Sequence, residues 1–178
     1  MRIILFFIFL SFHIVSAQEC YPKKNKDKKA VKKIEKLIEK SSERAYYDAI
    51  DALQNTNEAA VFFVLKSEIL WRRGKFFNAE TEALKAIDIC PDNFPKAYYF
   101  LGEIAYKRKD YVNADIYLRK AINLQIRDPY YSDAVMLYEN AKILAEIINN
   151  PVKFNPKIVQ GISTKDDEYL PIISPDQE

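Results

Sequence analysis

Residues that commonly carry catalysis or bind metals are scarce in this chain. Its 178 residues include one histidine, His13, and two cysteines, Cys20 and Cys90. A Ser-His-Asp triad and a histidine-containing zinc site both need histidine, and a cysteine-only structural zinc site needs more than two thiolates. Because His13 lies in a segment that we expect to be removed, the mature chain should have no histidine. We therefore predict no metal, no cofactor and no catalytic residue, so that the protein is not an enzyme.

Two further kinds of chemistry are disfavoured. The acidic run at 166–168 could suggest an acid and base pair, but adjacent carboxylates on a solvated turn have nothing to separate their pKa values. We interpret this run as a solvated turn. A glycine-rich phosphate loop is excluded because Gly74, Gly102 and Gly161 are far apart in the sequence.

The first 17 residues are typical of an export signal. Arg2 supplies a positive charge, residues 3–15 are mostly apolar, and Val15-Ser16-Ala17 offers the small residues that a signal peptidase accepts. The apolar run is shorter than the ~20 residues needed to span a bilayer, so cleavage after Ala17 is favoured over an uncleaved anchor. We therefore expect an exported, periplasmic protein.

The mature chain has nearly equal numbers of basic and acidic side chains, but they are unevenly distributed along the sequence. Without residues 1–17 it has 26 basic and 25 acidic side chains, so it should attract neither nucleic acid nor an anionic membrane strongly. We interpret the lysines from the basic N-terminal segment (18–27) onward as a solvated helix face; the alternative is a contact with lipid or cell-wall phosphate. These lysines are Lys23, Lys24, Lys26, Lys28, Lys29, Lys32, Lys33, Lys36 and Lys40.

The two cysteines are predicted to form a disulfide. Export would place Cys20 and Cys90 in an oxidising compartment, where an even number of cysteines favours a bridge. Closing so long a loop would stabilise the fold by about 4 kcal/mol in the chain-entropy account. The alternative is a pair of buried free thiols.

Hydrophobic periodicity predicts an all-α fold. Between Ala30 and Ile148 apolar residues recur at steps of three and four, and no stretch alternates as a strand would. The prolines of this region and Gly74 occur where they would separate helices. The predicted helices lie near 28–40, 42–54, 58–73, 76–90, 95–108, 111–125 and 130–148.

Small residues recur in this helical region with a period of 34 or 35 residues. Such residues mark close approaches of helix axes, once in each helical hairpin. Because an isolated hairpin would leave an apolar face in water, stacked hairpins explain the period better than an irregular bundle does. The recurring residues are Ala45, Ala79 and Ala114; Ala52, Ala86 and Ala121; and Ser67 followed by Gly102.

These residues resemble the tetratricopeptide repeat. In the best copy, residues 98–102 (Tyr-Tyr-Phe-Leu-Gly) match the first helix, and residues 110–114 (Asp-Tyr-Val-Asn-Ala) match the turn and the opening of the second. The resemblance implies a solenoid over 28–148 of about three repeats, ending in a capping helix. The preceding copy keeps Ser67, Gly74, Lys75, Phe76, Ala79, Ala86 and Pro91, whereas the first keeps only Ala45 and Ala52.

The resemblance also implies a concave groove that binds a protein or peptide, because the first helix of each hairpin lines the concave side in this family. Aromatic rings would supply contact area and the charges would set the register. The alternative is that Trp71 and Tyr106 pack between hairpins. The groove residues implied are Val64, Glu68, Trp71, Arg72, Lys96, Tyr99, Glu103, Tyr106, Lys107, Tyr130 and Asp133.

The tail, 149–178, has a different character. Four prolines and Gly161 prevent a further helix, and we predict short strands near 158–162 and 169–173. Residues 159–176 resemble the opening of a TolB-type β-propeller, in which a Ser-Pro-Asp turn, here 174–176, joins two strands. The tail would then be the start of a truncated propeller.

An exported tetratricopeptide array followed by such a segment resembles the N-terminal part of bacterial OmpA-family outer-membrane proteins. Some of these serve type IX secretion and gliding. The resemblance implies a non-catalytic periplasmic scaffold, associated with the outer membrane or peptidoglycan through domains missing from this chain. The alternative is an accessory module of an enzyme or cell-wall-binding protein whose other domains are missing.

Overall fold

The computed structural model describes residues 19–56 and 59–151. No strand occurs among them, which confirms the all-α class, and none of their helices combines the length and apolarity needed to cross a membrane. The predicted signal at 1–17 and the predicted strands at 158–162 and 169–173 lie outside the described residues. The helices are α1 (Asn25–Glu39), α2 (Glu43–Gln54), α3 (Ala60–Arg72), α4 (Phe76–Ile89), α5 (Pro95–Lys107), α6 (Tyr111–Asn123) and α7 (Tyr131–Asn149).

The seven helices are arranged in two layers. Each helix packs on the next, and the odd-numbered helices also touch one another: α1 on α3, α3 on α5 and α5 on α7. Within the described ranges the even-numbered helices make no such contact with each other. Because the odd-numbered layer is the tighter one, the stack curves toward it. This arrangement is typical of stacked helical hairpins.

The recurring small residues lie at helix contacts. Ala79, Ala86, Ala114 and Ala121 are fully buried, Ala45 is 4% exposed, and Ala52 is half-buried. No bulkier side chain would fit at the fully buried positions without moving a neighbouring helix. The predicted period therefore marks the packing of each hairpin.

Ser67 and Gly102 are equivalent positions in successive hairpins. Ser67 of α3 is fully buried, and its hydroxyl donates to the Ala79 carbonyl oxygen of α4 at 2.9 Å. A methyl group on Gly102 of α5 would lie only 2.5 Å from Cγ of Leu118 in α6. Both residues thus permit the two helices of a hairpin to approach closely.

Gly102→Ala is expected to lower the free energy of unfolding by about 1–3 kcal/mol, because the added methyl group overpacks the contact with Leu118. Leu118 is itself fully buried, and its backbone nitrogen would lie 3.1 Å from the same methyl group. Alanine is the better helix former by roughly 1 kcal/mol, so the substitution should become neutral or stabilising in a Leu118→Ala background. Urea unfolding of the four proteins of this cycle measures the effect. An equal loss in both backgrounds would contradict the close contact.

Each hairpin turn contains one residue with a left-handed backbone. These are Ser41, Gly74 and Lys109, with φ of 49°, 71° and 64°. In the second and third turns the following amide donates to the Leu70 and Ala105 carbonyl oxygens, respectively, both at 2.9 Å. Two turns 35 residues apart therefore share one geometry, with glycine in one and lysine in the other.

Lys109→Gly should stabilise the protein by up to about 1 kcal/mol, because glycine lacks the side chain that disfavours this backbone conformation. Gly74→Ala should destabilise it by about 1 kcal/mol for the converse reason. No atom stands within 4 Å of a methyl group placed on Gly74, so its loss would come from the backbone alone. Urea unfolding measures both effects, and two changes of the same sign would argue against this account of the turns.

A disulfide fastens the N-terminal segment to the stack. It joins Cys20 to Cys90, whose Cα atoms are 5.8 Å apart. The Glu19 and Cys20 carbonyl oxygens accept hydrogen bonds from the Ala60 and Val61 amides at 2.8 and 3.0 Å. Because α3 has no side-chain cap at its N-terminus, this segment satisfies donors that the helix leaves open.

Candidate functional site

A polar cleft of about 520 Å³ opens on the odd-numbered layer. One wall comes from the end of α1 and the turn after it, the floor from α3 and α5, and the opposite wall from the residues just before α7. The first hairpin and the loop before α7 therefore both border the cleft. The lining residues are Glu35, Ile38, Glu39, Ser41, Glu68, Arg72, Lys96, Asp128, Pro129 and Tyr130.

Glu68 is the centre of the floor. Its side chain is only 3% exposed. The carboxylate accepts hydrogen bonds from Arg72 Nη2 and Lys96 Nζ, each at 3.0 Å, and from the Tyr130 hydroxyl at 2.7 Å. Because these partners belong to α3, to α5 and to the residue preceding α7, one buried carboxylate connects three helices.

Electrostatics keeps these groups in their usual charge states at neutral pH. Burial acts to raise the pKa of Glu68, but the charges of Lys96 and Arg72 and a hydrogen bond from Tyr130 outweigh it, so the pKa lies below its ordinary 4.5. Burial and the adjacent Glu68 carboxylate raise the pKa of Tyr130. Burial acts to lower the pKa of Arg72, yet its contacts with Tyr130 and Glu68 leave that pKa raised. The floor thus holds an ionised carboxylate, a neutral phenol and a protonated guanidinium.

Arg72 also links the two walls. Its Nη1 donates to Ser41 Oγ at 3.3 Å, and its Nη2 donates to the Tyr130 hydroxyl at 2.6 Å. Ser41 belongs to the turn after α1, whereas Tyr130 directly precedes α7. One guanidinium therefore spans the base of the cleft.

An aromatic cluster lies beside this network. The Trp71 ring is 6.0 Å from that of Tyr99, 5.1 Å from that of Phe100 and 6.2 Å from that of Tyr130. The Tyr99 hydroxyl donates to Asp133 of α7, and burial together with that bond raises the pKa of Tyr99. The cluster holds Tyr130 against α3 and the start of α7 against α5.

The predicted groove residues separate into cleft and packing positions. Glu68, Arg72, Lys96 and Tyr130 line the cleft. Val64, at 5% exposed, belongs to the core and offers almost no surface for contact. Trp71, Tyr99 and Asp133 belong to the aromatic cluster, so Trp71 packs between helices as the alternative interpretation describes.

The other three predicted groove residues lie toward the end of α5. Lys107 forms an ion pair with Glu103 at 2.5 Å, and its Nζ is 4.6 Å from the centre of the Phe76 ring. The Tyr106 ring packs on that of Tyr111 in α6 at 5.4 Å. None of the three lines the cleft. Binding by any of the predicted groove residues stays a prediction.

The walls of the cleft consist of residues that the sequence pattern did not predict. Glu35, Glu39 and Ser41 belong to the hairpin that has lost most of the repeat signature, and Asp128 and Pro129 lie in a loop that no periodicity describes. The one available signal was a pair of acidic residues four apart on a predicted helix that is otherwise rich in lysine.

Five lysines share another face of the first hairpin, four of them on α1 and the fifth directly after its last residue. They border a shallow groove of about 510 Å³ around Leu37, and a contact with lipid or cell-wall phosphate stays a prediction. The lysines are Lys29, Lys32, Lys33, Lys36 and Lys40.

Comparison of the chain with protein-family models, curated proteins and solved structures finds no match in any of the three. Over residues 19–56 and 59–151, no three histidine, cysteine, aspartate or glutamate side chains are grouped to hold a metal ion. The fold and the cleft thus define the class of protein: an all-α protein of stacked helical hairpins with a polar cleft on its odd-numbered layer.

Proposed function

We propose that this chain is a non-catalytic docking protein of the tetratricopeptide type, which holds an extended segment of a partner protein in the cleft. The observation that carries the proposal is the cleft itself, open to solvent and bounded by the first hairpin and the loop before α7. Its volume of about 520 Å³ falls in the range of ligand pockets in proteins. Stacked repeats commonly use such inner surfaces for binding.

The tetratricopeptide assignment is supported by two repeated features. Small residues are buried at equivalent helix contacts, with Ser67 and Gly102 as the clearest pair. The turns at Gly74 and Lys109 share their backbone conformation and closing hydrogen bond. Both repeat at the 35-residue step on which the resemblance rests.

The proposed location is the periplasm, in an assembly associated with the outer membrane. Support comes from the signal-like residues 1–17 and from the Cys20–Cys90 bridge, since disulfides persist in oxidising compartments. The resemblance of residues 159–176 to the opening of a TolB-type β-propeller supports a more specific role in an assembly of the type IX secretion kind.

Photo-crosslinking in the cells that produce the protein tests the docking proposal. A benzophenone amino acid replaces Lys40 or Arg127, exposed residues that are adjacent in sequence to the cleft residues Glu39 and Asp128. Lys40 also borders the shallow lysine groove, so an adduct counts only if both positions give it. We expect both positions to give the same discrete adduct with one protein. The matched control positions are Phe77 and Leu84, which are exposed on α4 in the even-numbered layer. They should not give this adduct. Equal adducts at all four positions, or adducts only on α4, would reject the cleft as the docking site.

A further inference from the structure

The lining of the cleft has an excess of negative charge. Four carboxylates face two cations. Both cations, Arg72 and Lys96, already donate to Glu68, so the floor carries one net positive charge and the lining as a whole two net negative charges. The uncompensated carboxylates stand on the walls: Glu35 and Glu39 on one side and Asp128 on the other.

The wall carboxylates are exposed, and in the described part of the chain none of them forms an ion pair. Glu35 and Glu39 are four residues apart on α1, a spacing at which like charges repel and weaken a helix by a few tenths of a kcal/mol. Glu39 also lies in the last turn of α1, where the last carbonyl groups add negative partial charge and Lys36 is the basic residue. A cation bound there would relieve both unfavourable terms.

We propose that the cleft recognises a cationic side chain, lysine or arginine, in the extended segment of its partner. The inference rests on the proposed docking function and names the chemistry of the ligand. The charged head would lie between Glu35, Glu39 and Asp128, and its aliphatic stem would cover Pro129, the exposed apolar residue of the same lining. An anionic group is disfavoured because it must pass three carboxylates to reach cations that Glu68 already holds.

Two capped pentapeptides test this inference on the mature full-length chain. One is Gly-Arg-Gly-Arg-Gly, and the other carries citrulline, which keeps the shape of arginine without its charge. Binding is followed by calorimetry and by the fluorescence of Trp71, the single tryptophan of the chain, whose ring is 6.2 Å from that of Tyr130. We expect the arginine peptide to bind about tenfold or more tightly, with an affinity that falls as salt is raised.

Charge-neutral variants locate the site. Glu35→Gln with Glu39→Gln should weaken binding of the arginine peptide by about tenfold. Asp48→Asn with Asp51→Asn on α2 is the matched control: both residues are exposed outside the cleft, the net charge changes equally, and the affinity should not change. Circular dichroism and urea midpoints check that both variants fold.

Equal affinity for the two peptides, or unchanged affinity in the Glu35→Gln/Glu39→Gln protein, would overturn the cation inference. The crosslink at Arg127 separates this failure from failure of the docking proposal. If the Arg127 adduct forms at full strength in the Glu35→Gln/Glu39→Gln background, docking stands and cation recognition is wrong. If no adduct forms even in the otherwise unchanged protein, the docking proposal fails as well.

Discussion

Removal of the Cys20–Cys90 bridge should lower the free energy of unfolding by about 4 kcal/mol, because the open chain regains the entropy of a loop that joins residues 70 apart. The Glu19 and Cys20 carbonyl groups would also be released from the start of α3, where they accept hydrogen bonds. We expect the thermal midpoint of a Cys20→Ala/Cys90→Ala protein to fall by roughly 10–20 °C. Circular dichroism at the helix band measures this.

Chemical reduction supplies the control for this prediction. Dithiothreitol should lower the midpoint of the unchanged protein by a similar amount and leave that of the Cys20→Ala/Cys90→Ala protein where it is. A dialanine protein as stable as the parent would mean that the bridge contributes nothing to stability.

Glu68→Gln should destabilise the protein by about 3 kcal/mol at neutral pH, because removal of one partner of a buried ion pair leaves its counter-charges uncompensated. Glu68 is almost fully buried, whereas Lys96 retains contact with solvent. The loss of stability should therefore lie toward the lower end of the range observed when one partner of a buried ion pair is removed. Urea unfolding at neutral pH gives the value.

The pH dependence of this loss distinguishes a charge effect from a packing effect. The pKa of Glu68 is lowered by folding, so its carboxylate contributes stability above the unfolded value of 4.5 and loses that contribution as pH falls through the lower folded pKa. The difference in free energy of unfolding between the unchanged protein and the Glu68→Gln protein should therefore become smaller below pH 4.5. Glu139→Gln, at an exposed site on α7, is the control and should show little loss at any pH. A gap that stays constant with falling pH would identify a packing effect.

The Glu68 network also gives the cleft its shape. Arg72 contacts Ser41 on one wall and Tyr130 on the other, and Glu68 holds Arg72 and Tyr130 together. Because each wall belongs to a different end of the stack, small changes in the curvature of the solenoid would change the width of the cleft. The buried floor keeps that width defined while the wall carboxylates stay accessible.

Local pattern determined the helices and their pairing. Apolar spacing placed all seven helices within three residues of their observed bounds, because helix periodicity depends on neighbours three and four residues away. The 35-residue step of small residues located the close contacts at Ser67 and Gly102 for a related reason: contacts within a hairpin join residues that are near in sequence. These features needed no knowledge of distant parts of the chain.

The cleft was decided by tertiary structure. Glu68 meets Lys96 from 28 residues away and Tyr130 from 62 residues away, and the opposing walls come from the first hairpin and the loop before α7. The charged residues that meet in the cleft come from distant hairpins, so which of them meet depends on the curvature that the stacked hairpins accumulate. The sequence of a single repeat does not encode that curvature. The amino-acid sequence by itself therefore determined an all-α stack of hairpins, whereas the three-dimensional packing decided which groove residues became core and which carboxylates face the open cleft.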